Sequence, residues 1–127
     1  MRPSGDRPRI LVVDDLPEMS EMIAEDLCDR GYDGVAVASG REALRRLRTE
    51  RVDLLLTDLQ MPEVGGLTLL RESLELDPAR PVIVLTAHGS VETAVRATCG
   101  GACHYLTKPF RLDVLSRLIR SALTLGR

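Results

Sequence analysis

Aromatic residues are almost missing from this chain: two tyrosines, one phenylalanine and no tryptophan make up 2% of its 127 residues. Base-stacking platforms and an aromatic sandwich for a flavin ring are thereby all but excluded. The core has to be aliphatic. A charge excess is lacking as well, since 17 basic residues face 19 acidic ones for a formal net charge of −2. Charge alone suggests no direct nucleic-acid binding. Long apolar runs are absent too, and the few-residue runs present fall far short of a membrane span or a signal-peptide core. The expectation is a soluble cytoplasmic protein that contacts no membrane. Cysteine is scarce and odd in number. Cys28, Cys99 and Cys103 make neither a disulfide framework nor, with His104, a structural zinc pattern. They are expected to be buried thiols in a reducing compartment.

What is present is 44% hydrophobic residues in a length that suits one domain with a real core. Residues 1–8 (MRPSGDRP) form a leader, and residues 9–125 the domain. Arg9 to Val13 (RILVV) is an apolar, β-branched run of the kind buried on both faces of a parallel sheet. After Pro17, Met19, Met22, Ile23 and Leu27 recur at helical spacing before Gly31. The alternation repeats. Gly34 to Ala38 predicts a second strand, followed by a helix from the capping-box pair Ser39 and Glu42 through Ala43, Leu44 and Leu47. Asp53 to Thr57 predicts a third strand, then a loop through Pro62, Gly65 and Gly66 and a helix with Leu67, Leu70 and Leu74. Pro81 to Thr86 leads to a helix with Val91, Ala94, Val95 and Thr98 on one face. A short strand around His104 to Leu106 precedes a helix bearing Leu112, Leu115, Leu118, Ile119 and Ala122.

Five such units with short connections imply an α/β fold in which helices cover both faces of a five-stranded parallel sheet. Ligands of such sheets bind beyond the carboxyl ends of the strands, where the strand order reverses. Asp14 and Asp15, Asp58, Thr86 and Lys108 stand at or just past four strand ends, so they are expected on one rim. Two carboxylates about 4 Å apart repel by roughly 4 kcal/mol at an effective dielectric near 20. Three aspartates and one lysine leave a charge of −2, which one divalent cation neutralises. Oxygen ligands favour Mg²⁺. Such an ion serves phosphoryl transfer, and a carboxylate beside it can become an aspartyl phosphate. Asp58 is the candidate nucleophile, with Thr86 and Lys108 as donors to phosphoryl oxygens and small Ala87 leaving room for the group.

VVDD, TDLQMP, LTAHGS and YLTKPF, in this order, resemble the receiver domain of two-component response regulators over nearly the whole chain. The resemblance implies the flavodoxin-like receiver fold with strand order 2-1-3-4-5, Asp58 as phosphoacceptor, and a sensor histidine kinase as phosphodonor. It also implies Mg²⁺ held by Asp15, Asp58 and the Gln60 backbone carbonyl, with Asp14 acting partly through water. Thr86 and Tyr105 match the switch pair, Lys108 the phosphate contact, and Gln60 and His88 the positions that tune phosphate lifetime. Such a domain catalyses only its own phosphorylation and dephosphorylation. Its output surface is the fourth helix, fifth strand and fifth helix, which controls a dimer or an output domain.

HGSVETAVRA followed by GACHYLTKPF is most similar to the NtrC-like subfamily, whose receivers usually precede a sigma-54-interacting ATPase and a DNA-binding domain. No output domain follows here, so an excised or single-domain receiver acting in transcriptional regulation is expected. Gly65 departs from the family, which commonly has a non-glycine residue there, and should loosen the loop after Asp58. Two alternatives stand beside this reading. A Mg²⁺-dependent aspartyl-phosphate phosphatase would want an acid two residues after the nucleophile, where this chain has Gln60. A phosphorylation-independent interaction module would not need the intact set of Asp14, Asp15, Asp58, Thr86 and Lys108. Bland roles also compete: Gln60 and His88 as exposed loop residues, Tyr105 as an edge-strand aromatic, and Leu118 and Leu123 as core alone.

Overall fold

The computed structural model describes residues 7–87 and 91–125. His88 and residues 1–6 of the expected leader lie outside the described residues. Strands β1 (Arg9–Val13), β2 (Asp33–Val37), β3 (Leu54–Asp58), β4 (Val82–Thr86) and β5 (His104–Thr107) alternate with five helices. These are α1 (Pro17–Asp29), α2 (Gly40–Thr49), α3 (Gly66–Leu76), α4 (Val91–Cys99) and α5 (Leu112–Leu125). All strand pairs are parallel, in the order β2-β1-β3-β4-β5 predicted from the resemblance. The chain runs outward from β1 to β2 and then crosses back to β3. With one crossover hand, α1 must then lie on the face opposite α2, α3 and α4.

Side-chain alternation along the strands builds a core on each face. Leu11, Val13, Leu55, Val82 and Val84 pack with Ala43 and Leu47 of α2, Leu69 and Leu70 of α3, and Ala97 of α4. Ile10, Val12, Leu54, Leu56, Ile83 and Leu85 pack with Ile23, Ala24 and Leu27 of α1 and Leu115, Ile119 and Ala122 of α5. Every residue of β3 and β4 is buried, which is why their sequences carry no polar alternation.

Several expected boundaries and faces shift. Asp53 lies one residue before β3, because its carboxylate accepts the Arg9 backbone N–H at 2.7 Å and its own N–H bonds the Arg9 carbonyl at 2.9 Å. Asp58 is consequently the last strand residue, opposite Leu85. On α1 the buried stripe is Ser20, Ile23, Ala24 and Leu27, leaving Met22 46% exposed. On α4 the face rotates: Ala97 is fully buried, whereas Val95 and Thr98 are exposed. The α2 cap forms as one half of the expected box, with Ser39 Oγ accepting the Glu42 N–H at 3.2 Å. The Glu42 carboxylate turns instead to Arg45 and Arg46, whose hydrogen bonds lower its pKa to about 2.

The three cysteines are exposed, not buried as the composition suggested. Cys28 falls one residue past the α1 stripe, Cys99 is the last residue of α4, and Cys103 sits in the turn before β5. None of these positions faces a core.

Candidate functional site

The carboxyl ends of β1, β3 and β4 carry the expected polar groups to one rim. Asp14 follows β1 and is 2% exposed, Asp58 ends β3 at 9%, and Thr86 ends β4 at 1%. Asp15 is exposed beside them. One carboxylate oxygen from each of Asp14, Asp15 and Asp58 lies within 4.8 Å of the others. Among the described residues this is the one such cluster of acidic, thiol or imidazole groups; Cys99, Cys103 and His104 form none.

Lys108 arrives from the far side. Its backbone N–H donates to the Thr86 carbonyl at 2.8 Å, which ties the residue after β5 to the end of β4. The Lys108–Pro109 peptide is cis. From there the Lys108 Nζ lies 2.6 Å from Asp14 Oδ2 and 3.8 Å from Asp58 Oδ2. The ammonium therefore favours Asp14 and only leans on the expected nucleophile.

Backbone donors orient both buried carboxylates. Leu59 N–H donates to Asp58 Oδ1 at 2.9 Å while also reaching the Leu85 carbonyl at 2.8 Å. Leu16 N–H donates to Asp14 Oδ1 at 2.9 Å. Asp58 Oδ2 is thus the oxygen left facing the rim. Burial pushes the Asp58 pKa up, against the pull of Lys108 and the Leu59 hydrogen bond, with Asp14 and Asp15 adding repulsion.

The opposite end of the sheet supplies a control. Asp33, Glu50 and Asp53 are also acidic residues at strand or helix ends. There, Arg9 Nε lies 3.0 Å from Asp33 and its terminal nitrogen 3.2 Å from Glu50, while Arg51 stands 3.6 Å from Asp53. Each of these three carboxylates is met by an arginine. At the carboxyl ends three carboxylates share one described ammonium, leaving a deficit of two charges.

That deficit fits a hard divalent cation. Its ligands would be the carboxylate oxygens of Asp14, Asp15 and Asp58, which already lie within 4.8 Å of one another. Gln60, exposed two residues beyond Asp58, is on the same rim. Tyr105 lies in edge strand β5 opposite Val84 and packs half-buried against the core beneath α4. Thr86, two residues past Val84, points to that same face by strand alternation.

Two features here carried no sequence-level role. The Leu59 amide as an orienting donor leaves no side-chain signature. Gly66, read from the sequence only as part of the loop, sits where a Cβ would come 2.3 Å from the Asp58 carbonyl oxygen. Gly65 before it is extended (φ −84°, ψ 174°) with no close contact, so the glycine that departs from the family is not required by space.

Residues 10–120 match the response regulator receiver domain family. The transcriptional regulatory proteins GlrR and ZraR of Escherichia coli (strain K12) are 44% and 42% identical over 114 residues, 90% of this chain in each case. The chain spans about a quarter (26%) of the length of both relatives. Among solved structures, the beryllofluoride-activated NtrC4 receiver domain dimer superposes with a TM-score of 0.89 at 32% identity, covering 94% of this chain and 99% of that one. A response regulator from Burkholderia pseudomallei with a phosphorylated aspartic acid and a calcium ion gives a TM-score of 0.83 at 29% identity, covering 92% and 69%. The NtrC-like resemblance read from the motifs is borne out by this company. With its sheet order, acidic rim and matched residues in agreement, the chain belongs to the response regulator receiver domain family of two-component systems.

Proposed function

We propose that Asp58 accepts a phosphoryl group from a sensor histidine kinase, and that residues 9–125 work as one receiver whose α4–β5–α5 surface responds. The observation that carries this reading is the convergence of Asp14, Asp15 and Asp58 around a two-charge deficit with Lys108 at its edge. Asp58 Oδ2 is the attacking oxygen, because the Leu59 amide holds Oδ1. The new bond joins Oδ2 to phosphorus as the bond from phosphorus to the donor breaks, and the donor leaves with the electron pair.

Asp15, Asp58 and the Gln60 carbonyl hold the Mg²⁺. Both oxygens of Asp14 already accept hydrogen bonds, from Leu16 and Lys108, which suits a role partly through water. When bound, the ion neutralises charge on the rim and on the transferring phosphoryl group. Lys108 reaches the phosphoryl oxygens from its place 3.8 Å from Asp58 Oδ2. The Thr86 hydroxyl moves toward the same group, and Tyr105, on the same face of the sheet, turns into the space beneath α4. Gln60 and His88 set phosphate lifetime.

Partner contact follows from the changed surface, where Val95 of α4 is 52% exposed. A homodimer through this face suits a chain whose structural relatives include an activated receiver dimer. Control of transcription through an output domain suits relatives that are transcriptional regulatory proteins, with the domain itself touching no nucleic acid. No helix among the described residues is long and apolar enough to cross a membrane, in keeping with a cytoplasmic site of action. The domain is a switch that acts chemically only on itself.

Intact mass after incubation with Mg²⁺ and acetyl phosphate tests the reading. One added phosphoryl group that is absent in Asp58→Asn is expected. Turnover of added phosphoesters would point to a phosphatase instead, and a chain that takes no phosphate from any donor would be an interaction module.

A further inference from the structure

The loop that leaves Asp58 is closed on itself at both ends and rests on a different helix in the middle. Gly66 N–H donates to the Leu59 carbonyl at 2.9 Å, so residues 59 and 66 are pinned together next to the nucleophile. Between them Gln60, Pro62 and Glu63 are exposed, and Glu63 adopts φ +65°, turning the chain back toward the body of the protein. That reversal sets Val64 against the first residue of α2. A Cβ built on Gly40 would lie 2.3 Å from the Val64 carbonyl oxygen, 2.7 Å from its Cβ and 2.9 Å from its Cγ1. Arg41 next to it reaches Glu63 at 3.5 Å, but both groups are well exposed, so the ion pair adds little. The steric contact at Gly40 is the stronger restraint.

We propose that Gly40 and Val64 are positioning residues: the start of α2 is a backstop that holds the 59–65 loop, and with it the Gln60 carbonyl, in register with the Asp14, Asp15 and Asp58 carboxylates. This rests on the Mg²⁺-binding role given to Gln60 above. The geometry leaves little alternative route for a disturbance. Gly40 is buried under the loop, Ser39 anchors the helix start through its cap, and the loop ends are bonded to each other. A methyl group at residue 40 therefore pushes the Val64 backbone by about 1 Å to reach ordinary contact, and the exposed middle of the loop takes up the shift. Loss of a group that orients a metal ligand typically costs about 10–100-fold in metal affinity. Coupling is reciprocal, so ion binding that fixes the loop also fixes the start of α2.

The test is direct Mg²⁺ titration by isothermal calorimetry, together with the rate of acetyl phosphate labelling of Asp58 across a Mg²⁺ series, in the wild-type chain, Gly40→Ala, Val64→Ala and Arg41→Ala. In Gly40→Ala the Mg²⁺ dissociation constant and the Mg²⁺ concentration for half-maximal rate are both expected to rise roughly 10-fold or more, with the rate at saturating Mg²⁺ much less affected. Val64→Ala, which leaves the helix intact, should move the same midpoint in the same direction should Gly40→Ala fail to fold. Arg41→Ala should change it less than about twofold. A folded Gly40→Ala or Val64→Ala with an unchanged Mg²⁺ midpoint, even with reduced thermal stability, would overturn the proposal. Failure of the wild-type chain to label would instead sink the phosphoacceptor reading itself, so the two failures are distinct.

Discussion

Replacing Asp58 by asparagine should make the metal-free protein more stable, although it destroys the proposed phosphorylation site. The magnitude follows from the rim. At 4.8 Å or less, Asp14 and Asp58 repel by at least about 3.5 kcal/mol at an effective dielectric near 20. Lys108, 3.8 Å away, returns about 4.4 kcal/mol of attraction by the same measure. Asp15 is exposed and water-screened, so its repulsion is only about 1 kcal/mol. These contributions nearly cancel. What remains is the desolvation of a carboxylate that is 9% exposed, the largest cause of its raised pKa. Asparagine sheds that cost and keeps an oxygen for the Leu59 amide. The net gain is on the order of 1–2 kcal/mol, or roughly 3–8 °C in Tm for a domain of this size.

Thermal unfolding in EDTA at neutral pH, then across a Mg²⁺ series, reads both signs. A carboxyl group whose pKa is raised by folding contributes stability in its protonated form below its ordinary value of 3.8, and that contribution is lost as pH rises through the folded value. The advantage of the variant should thus vanish in acid and reach its plateau near neutrality. Added Mg²⁺ reverses the order. At 100 times its dissociation constant an ion stabilises the wild type by about 2.7 kcal/mol, and the variant, with one carboxylate fewer, by much less. A variant less stable than wild type in EDTA at neutral pH, or one with the same Mg²⁺ response, would refute the charge accounting.

Lys108→Ala should cost about 2–4 kcal/mol in EDTA, because it strips the buried Asp14 of its 2.6 Å partner. Urea unfolding should show part of that loss restored by Mg²⁺, and labelling by acetyl phosphate should weaken markedly; normal labelling would remove Lys108 from its role. Gly65→Ala should be near neutral, within about 0.5 kcal/mol, since its backbone and surroundings accept a methyl group and the entropy lost by the unfolded chain offsets the poorer cap alanine makes at the start of α3. Gly66→Ala should destabilise by roughly 2 kcal/mol or more, because the methyl group meets the Asp58 carbonyl; equal effects in urea unfolding would contradict the difference. Thr86→Ala should still label at Asp58 yet lose any phosphate-dependent change in oligomeric state, as read by light scattering.

Strand-end chemistry was legible in the sequence because it depends on residue order alone. Once five apolar runs are read as parallel strands, the polar residue closing each run must arrive at the same edge, whatever the packing details. Asp14, Asp58, Thr86 and Lys108 needed no more than that. Helix faces were harder, since adjacent residues such as Met22 and Ile23, or Val95 and Ala97, differ by one step of rotation that only packing decides. The cysteines show the same limit, because Cys28 misses the buried stripe by one position. Buried Arg80 had no sequence mark. Its guanidinium donates to the Val52 carbonyl at 2.9 Å and to Ser73 Oγ at 3.0 Å, partners that come together only in the fold. Gly40 and Gly66 belong with it: a close backbone approach is a property of two segments, and either segment alone says nothing.

The two ends of the sheet also differ in a way that explains why acidity is neutralised at one and left in deficit at the other. In a strand-then-helix alternation each helix begins at the carboxyl edge and finishes at the amino edge. The partial positive charges of the helix N-termini therefore gather around Asp14, Asp15 and Asp58, with α1 starting at Pro17 and α3 at Gly66. They offset part of the carboxylate repulsion and favour an incoming anion. At the amino edge the helix C-termini add negative charge, and the acidic residues nearest the strand starts there have direct cations: Arg9 with Asp33 and Glu50, Arg46 with Glu50, and Arg51 with Asp53. A carboxylate trio at the amino edge would need more than one lysine. At the carboxyl edge one lysine suffices to fold the chain, and the charge it leaves uncompensated is what a divalent ion and a phosphoryl group can use.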